Sequence, residues 1–484
     1  MPEIGWKDLL RGENAVKAVA LAGGVALHAI NVYVAATILP SVVNEIGGLE
    51  YYAWNTTLFV VASIVGAASS AKIVDRLMPR NAYLLAATVF AGGVLICALS
   101  PTMPVLLAGR FVQGLGGGML FALSYMMVNL FFPESLWTRA MALVSGMWGV
   151  ATLVGPSIGG VFAELNIWRW AFASLLPLTL LLAVLITQIF SRIKMTAKSS
   201  ENDGSRTLPF FRLLLLATAV LSISVGSLSA QVIYNFIGLT VALFLMLGLI
   251  LLEIKGQAKK RLLPHNSFNI FSPLGQLYAT MALLVLGTTP DVFVPYFLQN
   301  IYQFTPLYAG YAAALVAAGW TLGSLLNPGG TKQKQRRLIV SSPVIVCAGL
   351  VGATILFGDT GGSTIKTALI CFCLTVVGYG VGQAWSHLLS GVLAAVSSSE
   401  SNLAASSITT VQLLATAFGA AFGGMVANLA GMSDPGGVDG TANAAFWLFA
   451  VFSIFPIVAI LTAGLAVKQN ASLTTKILQT DINF

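Results

Sequence analysis

Gly155-Pro-Ser-Ile-Gly159-Gly160-Val-Phe-Ala163 recurs 264 residues later as Gly419-Ala-Ala-Phe-Gly423-Gly424-Met-Val-Ala427. Ala151-Thr152 before the first copy matches Ala415-Thr416 before the second, and the same spacing carries Gly114, Gly116 and Gly118 onto Gly378, Gly380 and Gly382. Glycines at this density let apolar helices approach closely in a membrane. A duplicated, glycine-notched, apolar chain implies two related halves, the construction used by secondary transporters.

Outward from the repeat, composition agrees. The 484 residues are 57% hydrophobic and 9% charged, where a soluble domain carries roughly a quarter charged residues. Runs of about twenty apolar residues recur to the end. Fourteen spans are predicted, at 16–39, 54–75, 82–100, 104–131, 140–164, 171–191 and 210–228, then 232–253, 274–299, 307–326, 338–357, 366–395, 403–429 and 444–467. The fold class is therefore an all-α polytopic membrane protein. Residues 1–192 form an N-terminal six-helix half and 273–468 a C-terminal one. Residues 193–272 hold flexible cytoplasmic connectors around two extra helices without a counterpart, and 469–484 form a cytoplasmic tail. The halves are parallel, related by an axis along the membrane normal.

Charge sets the orientation. Of 25 Lys and Arg, 22 fall on one side if the N-terminus is cytoplasmic; Arg169 and Lys366 fall outside and Arg110 lies within a span. By the positive-inside rule both termini are cytoplasmic. The net charge of +8 resides in these loops, so no nucleic-acid partner is implied. No cleavable signal is visible. Cys97, Cys347, Cys371 and Cys373 lie within apolar spans and read as packing residues rather than metal ligands. No phosphate-binding loop, His-Glu-x-x-His or nucleophile elbow occurs, so neither an ATP-driven pump nor an enzyme is expected, and no cofactor or metal.

Three motifs resemble the major facilitator superfamily: Arg110-Phe-Val-Gln113-Gly114 in span four, Gly149 through Gly155-Pro156 to Gly159-Gly160 in span five, and Trp168-Arg169-Trp170-Ala-Phe172 at the start of span six. The span-five stretch resembles that superfamily's antiporter motif, which is associated within the superfamily with export, and the span-six entry resembles that of its fourteen-spanner drug:proton antiporter (multidrug-resistance) branch. Two elements depart from the pattern. Lys72-Ile-Val-Asp75-Arg76-Leu-Met-Pro-Arg80 keeps Asp75, Arg76 and Arg80 but has Ala71 and Met78 where glycines are usual. Asn31 occupies a position commonly Asp in that branch.

Gly155, Pro156, Gly159 and Gly160, with Gly419 and Gly423, are expected to seal and hinge the halves; plain tight packing is the alternative. Asp75 and Arg76 are expected to hold a gate at a cytoplasmic helix end. Charged or titratable groups inside spans are rare because burying them costs several kcal/mol. His28, Arg110, Asp291 and His387 fall on spans one, four, nine and twelve, helices that line the central cavity in the resembled superfamily. Asn31-Val-Tyr-Val34 aligns with Asp291-Val-Phe-Val294 at an offset of 260, so the second half carries a carboxylate where the first does not. Asp291 is expected to carry the proton, Arg110 to tune it, Asn31 and Gln113 to line the cavity, and His28 or His387 to relay protons there; a structural partnership of Asp291 with Arg110, and helix-to-helix hydrogen bonding by the histidines, are the alternatives. Trp148, Trp320, Trp385, Tyr33 and Tyr125 are candidates for stacking on substrate.

The expectation is a monomeric proton-coupled exporter of a small organic molecule, embedded in the lipid bilayer of a bacterial inner (plasma) membrane and driven by the proton gradient. Export of an anionic metabolite or siderophore, an uptake symporter on the same scaffold, and a non-transporting membrane sensor are the rivals.

Overall fold

The computed structural model describes residues 6–192, 209–229, 231–255, 261–327, 329–397 and 400–482. Most of the connector predicted between spans six and seven, 193–208, and part of the one after span eight, 256–260, lie outside the described residues.

All regular structure among the described residues is helical. Twelve helices are long and apolar enough to cross a membrane, two fewer than the fourteen spans predicted. Leu49–Ala98 runs 50 residues and takes in predicted spans two and three; Phe210–Gly226, predicted span seven, is shorter than the rest. The helix from Trp54 to Ala98 leaves helical geometry at Met78, with φ 65° and ψ 153°, just before Pro79. Pro79 disfavours the helical region for the residue before it. A positive φ costs a side-chain-bearing residue about 1–3 kcal/mol, which gives a backbone reason for the glycine usual at this position.

The chain divides into two compact units. Unit 1 holds Met1–Leu208 with Phe304–Tyr311; unit 2 holds Pro209–Gln303 with Ala312–Phe484. The two inserted helices thus cluster with unit 2.

The repeat is written into the packing of each unit. In unit 1, a Cβ added at Gly114 would strike the Phe59 carbonyl and one at Gly118 the Ser63 carbonyl, while one at Gly116 would fall on the Phe90 backbone. In unit 2, Gly378, Gly382 and Gly380 stand in the same way against Val316, Trp320 and Val346. The partners keep a near-constant spacing of their own: Phe59 to Val316 and Ser63 to Trp320 are each 257 residues, and Phe90 to Val346 is 256. Glycine is required because backbone meets backbone. Hydroxyls stitch both notches, Ser63 Oγ donating to the Gly114 carbonyl at 3.1 Å and Ser324 Oγ to that of Gly382 at 3.1 Å.

Within unit 2, the inserted helices Phe210–Gly226 and Val232–Lys255 meet where Gly226 and Gly238 lack side chains. Arg212 and Glu253 form a buried ion pair at 2.8 Å, and Glu253 also accepts from the Leu262 and Leu263 amides at 3.0 and 3.3 Å. Asn428 Nδ2 donates to the Ser227 carbonyl at 3.0 Å, tying the insertion to the Ser401–Leu429 helix. Phe236, Leu243 and Phe244 remain exposed on the insertion, as suits a lipid-facing surface.

Candidate functional site

In unit 1, three helices bring polar groups to one buried point. Gly12–Ile46 supplies Asn31 and His28, the helix beginning at Trp54 supplies Asn55 and Phe59, and Met103–Met126 supplies Arg110 and Gln113. The last two are three residues apart and so share a face of their helix. Arg110 is 2% exposed and Asn31 and Gln113 not at all. Arg110 Nη1 donates to Gln113 Oε1 at 2.5 Å and Asn31 Oδ1 at 3.3 Å, and Nε donates to the Asn55 carbonyl at 3.3 Å. Gln113 Nε2 closes the ring by donating to Asn31 Oδ1 at 2.8 Å. The guanidinium carbon stands 4.2 Å from the Phe59 ring centre.

Every one of these partners is neutral. A buried, uncompensated charge costs several kcal/mol. Hydrogen bonds to a charged group return about 1.5–3 kcal/mol each, and a desolvated cation–π contact about 2 kcal/mol. The cation is thus held by dipoles and a ring face, with no carboxylate.

Phe59 links Arg110 to His28, whose ring lies 5.2 Å from that of Phe59, 5.3 Å from Phe121 and 6.0 Å from Trp148. Tyr125 continues this aromatic wall, 5.2 Å from Phe121. His28 is buried at 3% exposure, with Nδ1 facing Gly117.

Unit 2 is different at the matching place. Asp291 lies in a 3-10 turn, Thr289–Phe293, between the helices Pro273–Thr288 and Val294–Tyr302. Pro290 and Pro295 explain the break, since neither offers an amide hydrogen to the helical ladder. Asp291 is partly exposed and belongs to none of the three ion pairs among the described residues. The positions one repeat after Arg110 and Gln113 are Leu374 and Val377, both buried and apolar. His387, buried on the Thr364–Ala394 helix, shares no hydrogen bond or ion pair with Asp291. Trp320 and Trp385 form an edge-to-face pair at 4.7 Å.

The repeated glycines address the helices that carry these groups. A Cβ at Gly155 would meet Tyr33, and one at Gly159 would lie 2.9 Å from Thr37 Cβ and 3.0 Å from the Val34 carbonyl. Gly160 packs on Leu307, within unit 1. In unit 2, Gly419 stands against Thr289, and a Cβ at Gly423 would lie 3.0 Å from the Phe293 ring. Pro156 is buried inside Glu134–Glu164 without interrupting it. Asp75 and Arg76 are both exposed and take part in none of the three ion pairs.

Sequence reasoning passed over Asn55 and Phe59, though a lone Asn at the start of an apolar run was a readable signal. It also passed over two clasps. Arg169 pairs with Glu45, lies 4.3 Å over the Trp168 ring and donates to the Ser100 carbonyl at 3.0 Å. Lys366 pairs with Asp359 at 3.1 Å and lies 5.0 Å over the Tyr302 ring. These are the two exceptions to the charge rule, and each is engaged by a carboxylate and an aromatic face.

The pattern of the Major Facilitator Superfamily matches residues 21–394. A Mycobacterium tuberculosis protein named "probable multidrug-efflux transporter" is 36% identical over 458 residues, covering 94% of this chain and 95% of that one. Multidrug resistance protein 3 of Bacillus subtilis is 24% identical over 374 residues, covering 75% and 70%. Among solved structures, a bacterial homolog of the human lysosomal transporter Spinster superposes with a TM-score of 0.63 at 15% identity, over 95% of this chain and 98% of that one. A proton-dependent oligopeptide transporter gives 0.64 at 17% identity, over 92% and 99%. The fold, the duplicated packing and these likenesses agree: the chain is a transporter, not an enzyme, and belongs to the major facilitator superfamily.

Proposed function

We propose that this transporter exports small amphipathic organic molecules, drugs among them, in exchange for protons, by alternating access across a bacterial inner membrane. The names of its relatives support the export of drugs. The observation that carries the coupling role is Asp291. Among the described residues, Asp291 is a carboxylate in the interior of an apolar span, whereas Asp75, Glu164 and Glu253 stand at the ends of theirs, and none of the three ion pairs engages Asp291. A carboxylate free of an ion pair can take up and release a proton without first breaking one. Its 3-10 turn between two prolines gives the backbone at that point fewer helical hydrogen bonds to lose when the helix flexes. Protonation from outside and release inside would then be linked to opposite exposure of the substrate site, with Arg110 biasing the balance. The gradient is the energy source, and no cofactor enters.

In this reading the chain crosses the membrane fourteen times as a monomer, with both termini cytoplasmic. The break at Met78 separates two crossings, and Phe210–Gly226 supplies another. Residues 1–192 and 273–468 are the moving halves, and 193–272 is an insertion. Asp75 and Arg76 act as a gate in another conformational state.

The test is uptake into everted vesicles. Asp291→Asn should lower gradient-driven accumulation on the order of 100-fold while leaving gradient-independent binding; unchanged accumulation sinks the coupling role. A second reading, export of an anionic metabolite or chelator, is favoured by Arg110, a buried cation whose partners are all neutral. Cationic dyes and anionic chelators assayed side by side, with and without the gradient, separate the two.

A further inference from the structure

Arg110, Asn31 and Gln113 form a closed ring of hydrogen bonds, but the ring does not use all their donors. Nη1 and Nε of Arg110 are engaged, whereas Nη2 makes no hydrogen bond among the described residues. Asn31 Oδ1 accepts twice, which fixes the orientation of its amide, and leaves Asn31 Nδ2 buried without a partner. Two side chains that already touch therefore carry spare N–H groups beside a full positive charge, and of the two Asn31 Nδ2 is fully enclosed without a partner. Buried donors without acceptors are expensive, and buried cations are normally paired. The same need is met differently elsewhere in this chain. Buried Arg212 has the Glu253 carboxylate, and the position one repeat from Asn31 is itself an acid, Asp291.

We infer that the Arg110–Asn31–Gln113 cluster binds one small, desolvated monovalent anion, which does at Asn31 what a carboxylate would do in its place. The chemistry is a single negative charge accepting from Arg110 Nη2 and Asn31 Nδ2. A halide fits it, and so does the carboxylate of a bound organic molecule. A multivalent oxyanion does not, because one guanidinium and neutral amides cannot offset its loss of hydration. Asn55 Oδ1 is also buried without a partner. It asks for a donor, so water, which both donates and accepts, is the competing occupant.

The inference concerns equilibrium binding and stands apart from the proposed export. The experiment uses the full-length protein in lipid nanodiscs at constant ionic strength, with gluconate replaced stepwise by chloride, bromide or nitrate. A parallel arm compares benzoate with benzamide. A saturable rise in Tm with the small anions assigns a free-anion site, and a rise with benzoate but not benzamide assigns a site for an organic carboxylate. In either case Asn31→Asp should abolish the rise, because it supplies the charge from within the chain. Bromide anomalous scattering from the unaltered protein should place a peak beside Arg110 Nη2 and needs no variant. A flat Tm in every arm with no bromide peak leaves the site to water and overturns the inference. An undiminished rise in Asn31→Asp overturns it as well, since the anion then binds elsewhere. Either failure leaves the vesicle assay of export untouched, so the two readings fail separately.

Discussion

Asn31 and Asp291 occupy matched positions in the two halves, yet their surroundings are opposite. Asn31 sits in an unbroken helix, Gly12–Ile46, locked by Arg110 and Gln113. Asp291 sits on a 3-10 break between two prolines, with Leu374 and Val377 at the positions equivalent to the locking pair. One half keeps a cation without an acid, and the other an acid without a cation. The glycine notches around them are the same in both halves. Duplication has preserved the scaffold, where backbone contact forbids change, and let the polar pair divide between the copies.

If the notches are equivalent, breaking them should cost the same in each half. Gly118→Ala and Gly382→Ala each put a methyl onto a neighbouring carbonyl, Ser63 and Trp320 respectively. Overpacking against backbone that cannot yield is expected to lose about 1–3 kcal/mol in each variant, read as a matched fall in Tm and in folded yield. A loss in one half alone would mean that the packing repeat is only superficial.

These notches were legible in the sequence because glycine at fixed spacing has few explanations in an apolar helix. The membrane-protein class was legible from hydropathy for a similar reason. The separation of spans two and three was not settled by the helix count, because the two helices abut at the non-helical Met78 with no intervening loop. Four titratable residues on four spans were also visible from the sequence. Their partners were not: the Asn55 carbonyl is a backbone group, which no residue pattern announces, and Phe59 looks like any core aromatic. The clasps at Arg169 and Lys366 were legible only as exceptions to a charge rule. The contacts that explain them come from Glu45 and Ser100 in one case and from Tyr302 in the other, all distant in sequence.

A sharper test moves the missing cation into unit 2. Leu374 is 264 residues after Arg110 and 1% exposed. If the halves share side-chain geometry as well as backbone, Leu374→Arg should engage Asp291 in an ion pair. The variant would then stay folded while losing gradient-driven export by tenfold or more, because about 1.4 kcal/mol of added preference for the paired state is a tenfold effect. If the new side chain cannot reach Asp291, an unpaired buried cation should cost about 3–5 kcal/mol and the protein should not accumulate. Stability and flux measured on one preparation therefore decide how deep the equivalence goes.

Pro156 has no counterpart in the second copy, where Ala420 stands. Its helix runs unbroken through it, so Pro156→Ala should leave Tm nearly unchanged. Turnover should fall by no more than about fivefold if flexing at this point sets the rate, a barrier change of about 1 kcal/mol. A loss as large as that of Asp291→Asn would place the hinge, rather than the proton site, at the centre of the mechanism.

The smallest effects are expected at the clasps, and here too the halves differ. Glu45 is half-exposed but holds both Arg169 and the Trp168 indole, which donates to it at 2.7 Å. Asp359 lies in a loop with 73% of its side chain exposed, and Lys366 is held as much by the carbonyls of Asp359 and Gly361 as by the carboxylate. Glu45→Gln should therefore cost about 0.2–1 kcal/mol, the range of exposed ion pairs, and the cost should shrink at high salt. Asp359→Asn should leave Tm unchanged at neutral pH. The Gly361 amide, and then Lys366, hold the Asp359 carboxyl below its ordinary value of 3.8. A depressed value means that any contribution is complete above the unfolded-state value and fades only as pH falls through the folded one. Between about pH 5 and 8 the unaltered clasp should thus be insensitive to pH. If Asp359→Asn is instead the costlier change, the loop clasp is the firmer of the two, and exposure is a poor guide to what holds each half closed at that end.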